Sequence, residues 1–143
     1  MNTNKFLMGG IAGGIASFLL GWLIYGMLMK DFYAGNCSDV AKSAVGLMRE
    51  PPIMWALVVG NLGFGFFLSY VFNKWAMIST AGGGAMAGAV IGLLTAIGWD
   101  FIMYATMNLS NLTATIVDII ISTVISAIVG AVVGMASGMG NKN

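Results

Sequence analysis

The chain has 143 residues, of which 59% are hydrophobic and 8% are charged, and its formal net charge is +1. Soluble domains carry roughly 25% charged residues, so this chain cannot cover a globule with polar surface and must face lipid. The small net charge excludes the basic surface of nucleic-acid-binding proteins. The absence of His removes the commonest metal ligand and acid–base residue, and a single cysteine, Cys37, excludes an intrachain disulfide. We therefore expect a membrane protein whose partner is the lipid bilayer, with no nucleic acid and no cofactor.

Four long apolar runs predict four membrane-spanning helices in a single transmembrane domain, at about residues 6–29, 52–72, 77–107 and 112–135. Each run can cross a hydrocarbon core, which requires about 20 residues. The first run is longer than the roughly 7–15 apolar residues of a cleaved signal peptide, so we expect it to be retained as a membrane-spanning helix. Pro52 suits the first turn of the second helix, where its missing N–H has no partner to lose. The predicted fold is an all-α, polytopic four-helix bundle.

Four spans place both chain ends on one membrane face, here named side A, and loop 30–51 and turn 108–111 on the other, side B. Basic residues number three on each side: Lys5, Lys74 and Lys142 on side A, and Lys30, Lys42 and Arg49 on side B. Membrane orientation follows the distribution of Lys and Arg. The segments on side A are much shorter than those on side B, so their basic residues are more concentrated. We therefore expect side A, and both termini, to be cytoplasmic.

Loop 30–51 contains a segment of helical periodicity. Residues 39–49 place four apolar side chains on one helical face: Val40, Ala44, Leu47 and Met48. Ser38 or Asp39 could cap this helix. The pattern predicts a short amphipathic helix on the membrane surface, and the alternative is a structured connector with no binding role.

Small residues recur at every fourth position in three of the predicted helices. Such faces allow helix backbones to approach closely in a bilayer, where burying apolar side chains away from lipid gains little. We expect the helices to pack through Gly9, Gly13 and Gly21 in the first, Gly84, Gly88 and Gly92 in the third, and Gly130 and Gly134 in the fourth. These residues lie toward side A, which predicts a tight side-A half and a looser, polar side-B half.

The third and fourth helices each carry one acidic residue inside the membrane. At about 1.5 Å per residue, Asp100 and Asp118 lie roughly 9–10 Å from side B, and the short turn between their helices predicts that they are neighbours. Acids at this depth require partners, protons or water, and no basic residue lies within the predicted spans. Side chains expected at the same depth are Tyr25, Asn61, Tyr104, Thr115 and Ser122.

Two adjacent carboxyl groups in a low dielectric cannot both ionise cheaply. They could share a proton, as in proton-coupled transport, or bind a cation between their oxygens. Alternatively, the protonated acids only form hydrogen bonds that stabilise the fold, and the sequence leaves these alternatives open. The candidate ligand, ion or proton site consists of Asp100, Asp118, Asn61, Tyr25, Tyr104 and Ser122.

Several short strings are similar to those of a family of small, uncharacterised four-span bacterial inner-membrane proteins, a domain of unknown function. They are GWLIYG at 21–26, DFY at 31–33, GNL at 60–62, DFIMY at 100–104, NLT at 111–113 and VD at 117–118. The resemblance implies four helices in a bacterial inner membrane and brings no activity with it.

Two functions therefore stay open. The first is small-solute or cation binding, including transport, through an acidic pocket on side B. The second is a structural or accessory role, in which the Gly-rich faces assemble a homo-oligomer or join a larger membrane complex. An enzyme is not expected, because without His, and with Cys37 in a loop, no nucleophile–base pair is visible.

Overall fold

Four long apolar helices form the protein. The structure is a computed structural model that describes residues 2–139, so Lys142, counted above on side A, lies outside the described residues. The four helices are long and apolar enough to cross a membrane, and they span Thr3–Leu28, Met54–Ala76, Ala81–Thr106 and Leu112–Met139. They confirm the predicted all-α bundle and fit a multi-pass integral membrane protein.

The helices are named in chain order: α1 (Thr3–Leu23), α2 (Lys30–Gly35), α3 (Asp39–Ser43), α4 (Met54–Val71), α5 (Ala81–Thr106) and α6 (Leu112–Met139). A π-helical turn at Ile24–Leu28 extends α1, and a second at Phe72–Ala76 extends α4. The predicted link at 73–76 is therefore helical, and the chain reverses at Met77, which has a φ of 52°. Helix α5 begins later than predicted because the Thr80 side chain caps it by accepting from the Gly83 N–H.

The loop between α1 and α4 differs from the prediction in two ways. Helix α2 was not predicted, and α3 ends at Ser43, so the amphipathic helix expected over 39–49 is wrong beyond that residue. The Ser38 hydroxyl caps α3 by accepting from the Ala41 N–H, as the sequence suggests. The helix cannot continue because Ala44 is extended and Gly46 adopts a positive φ of 78°.

The helices pack in two pairs that meet through α1 and α6. Helix α5 lies along α6, α4 lies along α1, and α1 lies against α6. A buried apolar core joins α4 and its π turn to α6, and it consists of Leu68, Phe72, Ile125, Val129 and Val133. This core lies between the middle of the membrane and side A.

Close glycine contacts hold the α5–α6 pair together. A Cβ atom added at Gly130 would overlap the carbonyl oxygen of Gly84, and one added at Gly88 would overlap the carbonyl oxygen of Ser126. Gly92 faces the Ser126 side chain, and Gly134 faces the carbonyl oxygen of Thr80. Helix α1 uses the same device, since Gly9 faces Ser69 and Ser137 while Gly13 faces Val133 and Gly65.

Gly21, which the sequence analysis also expected in the packing face, makes no close contact of this kind. No described atom lies within 4 Å of the position that its Cβ would occupy, apart from its own helix surroundings. With 3.6 residues per turn, a four-residue repeat drifts by about 40° at each step. Gly21 is three steps beyond Gly9 and lines a cavity in the side-B half of the bundle instead of contacting a neighbouring helix.

Buried hydrogen bonds reinforce the side-A half. The Asn73 side-chain amide donates to the Ser69 carbonyl at 2.8 Å and lies 3.1 Å from the Ser137 hydroxyl. The Ser69 hydroxyl in turn donates to the Phe6 carbonyl at 2.8 Å. Interhelical hydrogen bonds of this kind support helix association in a bilayer. The side-A half is therefore held together both by close glycine contacts and by hydrogen bonds between helices.

Candidate functional site

The side-B half of the bundle contains a cavity of about 680 Å³. It lies between α4 and α5, which pack along α1 and α6 rather than closely on each other. Five of the six predicted site residues line it: Tyr25, Asn61, Asp100, Asp118 and Ser122. Among the described residues, no Lys or Arg lines the cavity, so its electrostatic character is set by the two acids.

Asp100 and Asp118 lie side by side. Asp100 projects from α5 and Asp118 from α6, and their carboxyl groups are close enough to act on each other electrostatically. The short turn between the helices brings them together at one depth. Within residues 2–139, Oδ2 of Asp100 is buried and has no hydrogen-bond partner. A proton shared with Asp118 would satisfy this oxygen.

Tyr33 completes the acid pair, and sequence reasoning missed it. Its hydroxyl donates a hydrogen bond of 2.7 Å to Oδ1 of Asp118. Burial, and then the hydrogen bond and negative charge of Asp118, raise the pKa of the Tyr33 hydroxyl above its ordinary value of 10.0, so it remains a donor. Its ring lies 5.7 Å from that of Tyr25. Because Tyr33 lies on α2, a separate helix from the π turn that carries Tyr25, spacing along one predicted span gives no signal for it.

The hydroxyl group of Tyr25 lies 3.2 Å from the Ser122 hydroxyl across the α1–α6 interface. Like Gly21, four residues earlier, Tyr25 lines the cavity. Tyr25 lies in the π turn, in which the Met29 N–H reaches back five residues to the Ile24 carbonyl at 2.8 Å. A π turn advances each residue through a smaller angle than an α turn, which counters the drift of the four-residue repeat.

Asn61 lines the cavity, but the protein already uses most of its side-chain amide. Its Oδ1 accepts from the Ser17 hydroxyl at 2.6 Å, and its Nδ2 donates to the Leu57 carbonyl at 2.8 Å. The first of these bonds joins α1 to α4. Asn61 therefore contributes mainly to positioning the wall opposite the acids.

Tyr104, the sixth predicted site residue, does not line the cavity. The residue is 43% exposed and lies away from the cavity. Tyr104 follows Asp100 by four residues and Gly84 by five such steps. Over five steps the drift of the four-residue repeat adds up to roughly 200° around the α5 axis, so Tyr104 points away from the face that carries Gly84. Thr115 also lies outside the cavity lining; it is buried beneath the α5–α6 turn, where its hydroxyl lies 3.2 Å from the Asn111 carbonyl.

Hydrogen bonds between the loop and the α5–α6 turn hold α2 over the acids. The Ser38 N–H donates to the Leu109 carbonyl at 3.0 Å, and the Asn111 N–H donates to the Asn36 carbonyl at 3.1 Å. The Asn111 side chain also donates to Oδ1 of Asn36 at 2.9 Å while its own Oδ1 caps α6. Because α2 ends at Gly35, next to this clamp, the position of Tyr33 is fixed from outside the membrane span.

Aromatic side chains flank the opening of the cavity. Trp22 on α1 and Trp99 on α5 both line it, although the two residues are 59% and 67% exposed. Phe18 and Phe64 line its deeper part. The site therefore combines a carboxyl pair with apolar walls. Within the described part of the chain there is no group of three or more His, Cys, Asp or Glu residues that could hold a metal ion.

No known protein family, curated protein or solved structure matches this chain. The interpretation of the site therefore rests on its own geometry and chemistry.

Proposed function

We propose that this integral membrane protein binds a small cation at the Asp100–Asp118 pair, in exchange for a proton. The observation that carries the proposal is that two carboxyl groups line one cavity whose described lining contains no basic residue. When the two carboxyl groups share one proton, the pair carries a single negative charge. Losing that proton with no replacement would leave two negative charges side by side, which costs free energy in a low dielectric. A monovalent cation can replace the shared proton without leaving two unpaired charges.

The bundle also suits a carrier that opens toward one face at a time. The acids lie toward side B, whereas the side-A half is closed by the core around Phe72 and by glycine contacts. Passage to side A would require the α5–α6 pair to move against α1 and α4. In this proposal the protein lies in a bacterial inner membrane, as the sequence resemblance implies, with side A and both termini in the cytoplasm.

Assembly through the Gly-rich faces is the alternative function. Gly84, Gly88 and Gly130 contact the partner helix within the same chain. These faces are therefore occupied, which counts against their use in a homo-oligomer or larger membrane complex. Cation binding is the better supported of the two functions.

The test measures proton release by purified protein in weakly buffered detergent solution, using a pH-indicator dye. NaCl, KCl and ammonium salts are added to the wild type, Asp100→Asn and Asp118→Asn. The expected result is cation-dependent proton release and thermal stabilisation in the wild type, with both lost in the two variants although they fold. Asn is nearly isosteric with Asp, so helix packing should survive.

Asp31→Asn is the matched control, because Asp31 is exposed on α2 outside the cavity. It should release protons as the wild type does. The proposal is overturned if both cavity variants retain full proton release, or if no cation in the panel or among organic ammonium ions causes any release from the wild type.

A further inference from the structure

We infer that the cation is a protonated primary or secondary amine with an apolar body, bound with its N–H group at the Asp100–Asp118 carboxyl pair. This inference rests on the proposed function and deepens it. It identifies the ligand class from the hydrogen-bonding capacity of the acids and from the character of the cavity walls.

The first argument is the hydrogen bonding of the acid pair. Oδ1 of Asp118 accepts from Tyr33, whereas the buried Oδ2 of Asp100 has no partner among the described residues and depends on a proton shared with Asp118. A buried acceptor without a donor costs free energy. When the shared proton leaves, an ammonium N–H can donate to the pair and balance one of its two negative charges. A quaternary ammonium ion has no N–H, so it would supply the charge without the hydrogen bond.

The second argument is the size and character of the cavity. A volume of about 680 Å³ lies within the range of pockets for small organic ligands. Its inner walls include Phe18, Phe64 and Ile125, which cannot replace the hydration shell of a metal ion. An apolar ligand body would remove these side chains from water and gain the free energy of apolar burial.

The third argument concerns the coordination of an inorganic cation. Calcium takes 6–8 oxygen ligands, and magnesium demands near-ideal octahedral geometry. Here Tyr33 and Tyr25 direct their hydroxyl groups to Asp118 and Ser122, and the Asn61 amide is engaged with Ser17 and Leu57. The cavity therefore offers two carboxyl groups and few free oxygens, which suits a hydrogen-bonded ammonium group better than a coordinated metal.

The fourth argument is the aromatic opening. Trp22 and Trp99 line the cavity and are also exposed, so they face the surroundings of the bundle. Trp faces attract cations, and the attraction strengthens when the cation is desolvated. An amphiphilic amine at the membrane interface could pass these two residues with its charge stabilised before it reaches the acids. The ammonium ion enters as the cation, and the proton shared by the acids leaves to solvent, so charge balances.

The experiment compares two matched probes and one inorganic ion with the full-length protein in detergent. The probes are 2-phenylethylamine, its N,N,N-trimethyl derivative and NaCl, with proton release and thermal shift as readouts. We expect 2-phenylethylamine to half-saturate at a concentration at least about tenfold lower than its trimethyl derivative, which is the effect of one charged hydrogen bond. Asp100→Asn should abolish the preference for the N–H probe.

Trp99→Leu tests the aromatic opening, with Trp55→Leu as its control. Trp55 is 71% exposed on α4 and lies outside the cavity lining. We expect Trp99→Leu to weaken binding of 2-phenylethylamine by about three- to tenfold, and Trp55→Leu to leave it unchanged. Equal losses in the two variants would overturn the role of the opening.

The two proposals fail differently. If NaCl releases protons and 2-phenylethylamine does not, the ligand class is wrong while cation exchange stands. If the trimethyl derivative binds as tightly as the N–H probe, the proposed hydrogen bond to the carboxyl pair is wrong. If neither organic probe nor any inorganic cation releases a proton, both proposals fall together.

Discussion

The Tyr33 hydroxyl donates a 2.7 Å hydrogen bond to Oδ1 of Asp118 and thereby joins α2, outside the membrane span, to a carboxyl group inside it. The two residues are 85 positions apart. The α2 helix is held in place by the clamp between Asn36 and Asn111. The acid pair is therefore coupled to the structure of the side-B loop.

Replacing Tyr33 with Phe should weaken this coupling without removing the aromatic ring from its contacts with Tyr25 and Phe32. The loss of one hydrogen bond to a carboxyl group should reduce the free energy of unfolding by about 1–2 kcal/mol. Chemical denaturation in detergent measures the change. Tyr104→Phe is the matched control, since Tyr104 is exposed away from the cavity; equal effects in both variants would contradict the assignment.

The pKa of Tyr33 predicts how this contact responds to alkaline pH. Burial and Asp118 raise the pKa of the hydroxyl in the folded state above the ordinary value of 10.0. A raised folded-state pKa means that the stabilisation is fully present below about pH 10 and is lost as the pH rises through the folded pKa. The difference in phenolate absorbance between wild type and Tyr33→Phe should stay near zero up to pH 10. If the wild type shows phenolate absorbance with an ordinary pKa near 10 and Tyr33→Phe lacks that absorbance, the prediction is refuted.

Asn111→Ala should destabilise the protein and loosen the side-B loop. Its Oδ1 accepts from the Ala114 N–H at the start of α6, and its Nδ2 donates to Asn36. Loss of a helix cap typically costs about 1–2 kcal/mol. The expected result is a lower free energy of unfolding and faster proteolysis between α3 and α4.

Asn108→Ala provides the control for Asn111 in the same turn. Asn108 contributes its main-chain carbonyl, which accepts from the Ser38 hydroxyl at 2.6 Å, and alanine retains that carbonyl. This variant should unfold and be cleaved as the wild type is. If Asn108→Ala loosens the loop as much as Asn111→Ala does, the side-chain clamp is not what holds it.

The α5–α6 glycine contacts should tolerate no added methyl group. In Gly130→Ala the new Cβ would overlap the Gly84 carbonyl oxygen, so the helices must separate, at a cost of about 1–3 kcal/mol. Gly98 lies on α5, and no described atom lies within 4 Å of the position that its Cβ would occupy. Gly98→Ala should therefore be neutral or stabilise by about 0.5–1 kcal/mol. Thermal unfolding of the two variants would reveal the difference, and similar values would contradict the close contact.

Much of the bundle follows from residue order because a bilayer limits the choices that a chain has. Runs of apolar residues long enough to cross the hydrocarbon predict four spans, and the structure has them. Gly84, Gly88 and Gly92 are predicted contact residues because small side chains are what allow helix backbones to approach. Asp100 and Asp118 are predicted neighbours because a short turn leaves their helices little freedom in depth.

The composition of the site beyond the two acids depends on helix rotation. A four-residue repeat is not a whole turn, so Tyr104 turns away from the cavity that Asp100 lines, whereas Gly21 lines the cavity and contacts no neighbouring helix closely. Tyr25 lines the cavity from the π turn at Ile24–Leu28. Sequence spacing alone does not reveal such a turn.

By itself, the sequence determined the number of spans, the small-residue contact faces and the common depth of the two acids. These features depend on hydropathy, side-chain size and 1.5 Å of rise per residue, all of which are local properties. Tertiary structure decided which helices pair, that a cavity remains between α4 and α5, and that Tyr33 reaches Asp118. Those features depend on contacts between residues far apart in the chain, such as the clamp from Asn36 to Asn111, and no local pattern specifies them.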